Sequence, residues 1–214
     1  PAPGAPTRVW LLYGINNNAL VVDPETTEKL MPTDHPFGSK RPLIDTDYFA
    51  TYNQENVELV DIRHSPIQEI TPYGIRTEDQ HFKFDMIVFA TGFDAMTGTY
   101  LKMDIRGRND LALQHKWSEG PKTYLGIQTA GFPNLFMITG PGSPSVLSNM
   151  PVSIEQHIDW IADLLQYVRD HDIKSVEAHV DAESAWVTHV NEVAEHTMYM
   201  LADSWYLGAN IPGK

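Results

Sequence analysis

Two apolar runs that stop at glycine turns, followed by two segments of helical apolar period, predict an α/β chain: a mixed sheet with flanking helices. The first run, Met86 to Ala90, is short, β-branched and aromatic, and it halts at Ala90-Thr91-Gly92. Such a run fits a central strand buried on both faces. The second, Asn134 to Thr139, ends in the glycine-rich stretch Gly140-Pro-Gly-Ser-Pro-Ser-Val-Leu-Ser-Asn-Met150. Ligands of open α/β sheets sit beyond the carboxyl ends of their strands, so both turns are candidate cofactor positions, and they would face one crevice if their strands are parallel neighbours.

The elements follow in order. Residues 1–35 carry no assignable role; Val9 to Tyr13 and Ala19 to Val22 could be strands, and Pro24 to Pro32 fits one or two helical turns ended by the second proline. Lys40 and Arg41 form a basic pair held between Gly38 and Pro42. It is either a solvated surface pair or an anion site, arginine offering a planar fork and lysine a point charge. Val57 to Ile62 reads as a parallel-type strand, Ile67 to Thr71 and Gly74 to Thr77 as a hairpin across Pro72-Tyr73, and Phe82 to Phe84 as the lead into the central strand. Asp104 to Leu113 is a polar excursion, and Tyr124 to Thr129 precedes Asn134 to Thr139 as a further strand. Ser153 with Gln156 forms a capping-box pattern for a helix whose apolar residues Ile154, Ile158, Ile161, Leu165 and Val168 recur at three and four. Its positive end would point toward whatever the glycine loop holds. A second helix is expected from Ala182 to Met200 with Asp181 as N-cap.

Composition narrows the function classes. The 214 residues, 42% apolar with five Trp, can build one large or two small cored domains. With 28 acidic against 15 basic residues the net charge is −13, which argues against nucleic acid or an anionic membrane as partner. The absence of cysteine excludes thiol catalysis and cysteine-ligated metal. No apolar run is long enough to span a bilayer and no leader pattern opens the sequence, so a cytoplasmic location is expected. His189, Glu192 and His196 share a helix face but are loosely spaced for one ion, and no metal site is expected. There is no Gly-x-Ser-x-Gly elbow and no P-loop.

Several motifs in one order carry a family resemblance: Pro36-Phe-Gly-Ser-Lys-Arg-Pro42, Phe89-Ala-Thr-Gly-Phe-Asp-Ala95, Asp104-Ile-Arg-Gly107, Gly131-Phe-Pro-Asn-Leu-Phe136, Gly140-Pro-Gly-Ser-Pro144, Ser148-Asn-Met150, Ser153-Ile-Glu-Gln-His157 and Ser204 to Lys214. Together they resemble the C-terminal portion of Baeyer–Villiger monooxygenases, from about residue 26 onward. The resemblance implies part of a Rossmann-like flavoprotein with two dinucleotide-binding domains. Residues 36–89 would then be the C-terminal part of the NADP-binding domain and 90–214 that of the FAD-binding domain.

The implied chemistry uses FAD, NADPH and O₂ to insert one oxygen atom beside a ketone carbonyl, giving an ester or lactone. By resemblance, Arg41 matches the active-site arginine that stabilises anionic oxygen adducts, and Lys40 the reader of the NADPH 2′-phosphate. Thr91, Gly92 and Asp94 match the segment linking the two domains, and Trp205 matches a residue near the nicotinamide. Asn149 and Met150 border the flavin, and Ser145, Val146, Leu147, Ser148 and Met150 shape the substrate pocket. No Gly-x-Gly-x-x-Gly is present, so the resemblance also implies a missing N-terminal half, a partner chain or a homo-oligomer. A non-catalytic remnant serving as a scaffold or binding module is the competing expectation.

Overall fold

The structure, a computed structural model, describes residues 20–40, 45–143 and 148–208. The chain divides between Phe93 and Asp94 into two compact units.

In the first unit, α1 (Pro24–Leu30) starts where the sequence supplies a stop and a start together. Asp23 accepts the Thr26 amide at 2.8 Å, Pro24 opens the first turn with its φ already set, and the chain leaves the helix at Met31, before Pro32. Leu20 to Val22, part of an expected strand, instead pairs with the Asn53 side chain, which accepts from the Val22 amide at 2.8 Å and donates to the Leu20 carbonyl at 2.6 Å. Asn53 follows the short helix α2 (Tyr48–Thr51). The expected strand over Val9 to Tyr13 lies outside the described residues.

The hairpin forms as its alternation predicts. β1 (Ile67–Thr71) and β2 (Gly74–Thr77) pair antiparallel, with Thr71 opposite Gly74, and β3 (His81–Lys83) joins β2 to give the order β1-β2-β3. Gly74 is obligatory here. It has φ of +151°, and a Cβ would lie 1.9 Å from the Phe82 carbonyl oxygen. Val57 to Ile62 forms no strand, because Asp61 turns the chain by accepting from the Arg63 amide at 3.0 Å and its guanidinium at 2.9 Å.

The central strand is the main correction. Met86 to Ala90 follows β3 as an extended run that pairs with no ladder among the described residues, and Met86, Val88, Phe89 and Phe93 are 80%, 78%, 65% and 97% exposed. Local composition specifies an apolar extended segment, but a ladder needs neighbours that no described part of this chain supplies.

The second unit has a small core of Leu113, Trp117, Phe132 and Met137, against which Tyr100, Leu101, Ile105, Leu111 and Leu135 pack. It is assembled from α3 (Gly98–Lys102), α4 (Leu113–Lys116) and the irregular chain between them and residue 143. At the polar excursion Arg106 bridges Ala112, and Gly107 passes so close to residue 131 that a Cβ would meet the Gly131 carbonyl at 2.2 Å.

Tyr124 to Thr129 and Asn134 to Thr139 are not ladder strands. Leu125 and Gly126, at φ of +58° and +70°, turn the first segment back on itself so that Tyr124 bridges Gln128. The two segments still run together through Met137 N to Ile127 O at 2.7 Å and Gly140 N to Gly126 O at 3.0 Å.

Two long helices complete the unit: α5 (Met150–Asp170) and α6 (Val180–Glu195). Ser153 is not the N-cap of α5. Proline is tolerated in a first helical turn, so Pro151 lets the helix start earlier, with Asn149 at the cap position, and Ser153 is buried inside it. In α6 the cap is His179, whose Nδ1 accepts from the Asp181 amide at 3.3 Å, and the helix ends at Glu195 before a separate 3₁₀ turn at Met198–Leu201.

A buried carboxylate joins α6 to the core segments. Glu183 accepts from Lys116 Nζ at 2.8 Å, Thr129 Oγ1 at 3.0 Å and the Ala130 amide at 2.7 Å, while Glu177 accepts from Arg108 at 2.7 Å and the Gly131 amide at 2.9 Å. Glu183 thus has a cation and two further donors, the kind of compensation a buried charge needs.

Candidate functional site

The best-ordered feature at the predicted site is the glycine-rich turn that follows Thr139. Its backbone is held from four sides: Gly140 donates to the Gly126 carbonyl at 3.0 Å, Ser143 donates to the Gly140 carbonyl at 3.2 Å, Thr123 Oγ1 donates to the Pro141 carbonyl at 2.6 Å, and Trp186 Nε1 donates to the Gly142 carbonyl at 3.0 Å. Gly126 and Gly140 are required by contact, since a Cβ at either would come within 2.6 Å of another atom. The turn is thus built by close backbone approach and fixed before any ligand arrives.

Helix α5 grips the same loop along one face. Ser153 and His157, four residues apart, are its two buried residues. Ser148 and Ser153 share a hydroxyl hydrogen bond of 2.5 Å, and the Thr139 amide donates to His157 Nδ1 at 2.9 Å. That bond requires a lone pair on Nδ1, which puts the proton of the neutral ring on Nε2. Burial lowers the His157 pKa, since the charged ring would lose its hydration.

The predicted site residues are distributed as follows. Lys40 is in the first unit, its ammonium 3.7 Å from Asp34, after a turn in which Ser39 Oγ donates to the Pro36 carbonyl at 2.6 Å. Asp34 is itself 2.7 Å from His35, and this hydrogen bond lowers its pKa. Thr91 and Gly92 are exposed at the end of the extended run; Gly92 has φ of +84° and nothing within 4 Å of a built Cβ, so one face of its backbone is open to a flat ring. Asp94 opens the second unit and pairs with Lys102 at 2.5 Å. Asn149 and Met150 are at the start of α5, one turn before Ser153, and Trp205 opens a 3₁₀ turn with 45% of its surface exposed. Arg41, Ser145, Val146 and Leu147 lie outside the described residues.

Sequence reasoning missed the residues that hold the loop. Gly126 and Thr123 carry no signal beyond their types, whereas His157 closes the Ser153–His157 motif and falls on the apolar stripe of α5, where a polar residue needs a partner. Trp186 falls inside the expected second helix, and its indole N–H serves the loop. On the last helix, His196 Nδ1 is 2.7 Å from the Glu192 carbonyl and His189 tilts against Trp186, and no three-residue metal-binding group occurs among the described residues. No described helix is long and apolar enough to cross a membrane.

No family model matches the chain. Individual relatives do. Over 196 residues it is 44% identical to cyclohexanone 1,2-monooxygenase of Acinetobacter sp and 46% identical to a Baeyer–Villiger monooxygenase of Pseudooceanicola batsensis, matching 91% of this chain and 35% of each relative. Phenazine N-monooxygenase PhzNO1 of Lysobacter antibioticus is 45% identical over 197 residues, 91% of this chain and 36% of that protein. Among solved structures, oxidised steroid monooxygenase bound to NADP superposes with a TM-score of 0.89 at 45% identity, covering 96% of this chain and 39% of that one. OTEMO complexed with FAD and NADP gives 0.88 at 41% identity, over 92% and 37%. The chain spans little more than a third of the length of the relatives it matches. With this identity along nine-tenths of its length, the chain is a homologue of part of the Baeyer–Villiger monooxygenases.

Proposed function

We propose that this chain is part of an FAD- and NADPH-dependent Baeyer–Villiger monooxygenase that inserts one oxygen atom of O₂ next to a ketone carbonyl. The observation that carries the reading is identity above 40% to monooxygenases of this kind, together with superposition on chains that hold FAD and NADP. The residues present fit those groups. Gly92 offers open backbone to a planar ring, the glycine turn at 140–143 is fixed in advance, and Lys40 offers a partly exposed ammonium 3.7 Å from Asp34.

In this reading residues 36–89 belong to the NADP-binding domain and 90–214 to the FAD-binding domain. Lys40 binds the NADPH 2′-phosphate as a point charge. Thr91, Gly92 and Asp94 belong to the segment that links the two domains, Asn149 and Met150 border the flavin, and Trp205 is near the nicotinamide. Ser145, Val146, Leu147, Ser148 and Met150 form the wall of the substrate pocket. By resemblance, the role of Arg41 is to stabilise negative charge that develops on oxygen, a contribution that is usually the largest in such a site. Bound flavin supplies the activated oxygen. Similarity to a phenazine N-monooxygenase supports aromatic nitrogen as a second candidate substrate class.

The test is purification of the complete protein that carries this sequence. Copurifying flavin, bleaching of its absorbance by NADPH, and ester or N-oxide formation by chromatography are the expected results. A colourless protein that takes up no added FAD would favour the scaffold or binding-module alternative.

A further inference from the structure

We propose that Asp34 is a built-in competitor for Lys40: it holds the Lys40 ammonium in the unliganded protein, yields it to the 2′-phosphate of NADPH, and so sets how strongly that phosphate is preferred. Asp34 takes this role only if Lys40 reads the 2′-phosphate, as in the proposed function. Both residues lie in the first unit, at the two ends of one folded segment. Residues 36–39 close a tight turn: Gly38 is left-handed at φ of +87°, and the buried Ser39 donates its amide at 3.2 Å and its hydroxyl at 2.6 Å to the Pro36 carbonyl. Across this turn Lys40 Nζ comes to 3.7 Å from Asp34 Oδ2.

The carboxylate has two unequal holds. Its other oxygen, Oδ1, is 2.7 Å from His35 Nδ1, and this hydrogen bond keeps the Asp34 carboxyl below its ordinary range, so it is ionised at neutral pH. Charge-assisted hydrogen bonds run at about 2.7–2.9 Å, so the contact to His35 is one and the contact to Lys40 is a looser ion pair. Asp34 therefore keeps a partner when Lys40 leaves it. Its charge also acts on Arg63, but that guanidinium is engaged by Asp61 through two bonds at 2.9 Å, which makes Lys40 the more loosely held of the two cations. A phosphate brings a charge of about −1.5 to −2 and three acceptor oxygens, against the single charge of the carboxylate, so it wins the ammonium. It wins against resistance, because the displaced carboxylate stays beside it as a like charge. Asp34 is 70% exposed, so water and salt screen that resistance to a severalfold effect. NAD⁺ has a hydroxyl in place of the phosphate and escapes it.

Dissociation constants of NADP⁺ and NAD⁺, measured by calorimetric titration of the complete protein, Asp34→Asn and Lys40→Ala, test this. Asp34→Asn keeps the shape at an exposed position and should fold as the parent does. It should bind NADP⁺ about threefold to tenfold more tightly and NAD⁺ within about twofold of the parent, and the gain should shrink as salt rises from about 0.05 M to about 0.5 M. An unchanged or weakened affinity for NADP⁺, or an equal gain for NAD⁺, would overturn the proposal. Lys40→Ala separates the two levels. If it leaves the preference for NADP⁺ over NAD⁺ unchanged, the assignment of Lys40 fails and the role of Asp34 falls with it. If that preference drops in Lys40→Ala but does not rise in Asp34→Asn, Lys40 keeps its role and Asp34 loses the one proposed.

Discussion

Replacing Glu183 by Gln removes one charge and keeps the shape, which isolates the electrostatics of the second unit. Glu183 is 4% exposed and satisfies three donors; Lys116, whose side chain is 13% exposed, has only the Ala130 carbonyl at 2.5 Å once the carboxylate is gone. An amide also turns an NH₂ toward one of the donors it replaced an acceptor for. Removing one partner of a buried pair costs about 3–5 kcal/mol, because the other charge stays buried and uncompensated. With a urea slope of about 2 kcal/mol/M, the midpoint should fall by roughly 1.5–2.5 M. Urea unfolding followed by fluorescence of Trp117, which packs in the same core, measures it. The double variant Glu183→Leu with Lys116→Met should recover much of the loss, because apolar replacement of a whole buried pair is close to neutral. A loss below about 1 kcal/mol in Glu183→Gln, the range of an exposed pair, would refute the claim that this carboxylate holds Lys116, Thr129 and Ala130 together.

Gly74→Ala should destabilise the three-stranded sheet by more than about 2 kcal/mol, since both the φ of +151° and the approach to Phe82 oppose a side chain; circular dichroism on heating reads this, and an unchanged midpoint contradicts it. Trp117→Ala should cost about 3–5 kcal/mol by opening a cavity in the core, checked by the same urea titration. Lys40→Ala in the complete enzyme should raise the KM for NADPH about 10-fold to 100-fold and leave that for NADH nearly unchanged, because only NADPH carries the 2′-phosphate; an equal rise for both would remove Lys40 from that role.

The sequence made local pairing and apolar stripes legible, and left partnership out. The hairpin around Pro72-Tyr73 was readable because alternation and turn residues lie within a dozen positions. The stripes of α5 and α6 were readable for the same reason, but not their starts: Pro151 fits inside a first turn, and His179 is an uncommon cap. Met86 to Ala90 shows the limit, since no local pattern states whether an apolar run finds neighbours. Tyr124 to Thr129 failed through backbone conformation, two consecutive residues at positive φ where a strand needs extension. At the site, Lys40, Gly92, Asn149 and Met150 are legible as motif residues, whereas Thr123, Gly126, His157 and Trp186 act across 14 to 44 positions of sequence, as with Trp186 and Gly142, and only packing reveals their partners.

The proposed role of Arg41 is to serve oxygen insertion beside a flavin through its guanidinium. Arg41→Ala in the complete protein tests it, with flavin reduction by NADPH and product formation measured side by side. Flavin should still be reduced at a rate within a few-fold of the parent while ester formation falls by about 100-fold or more. Ester formation at the parental rate would contradict the claim.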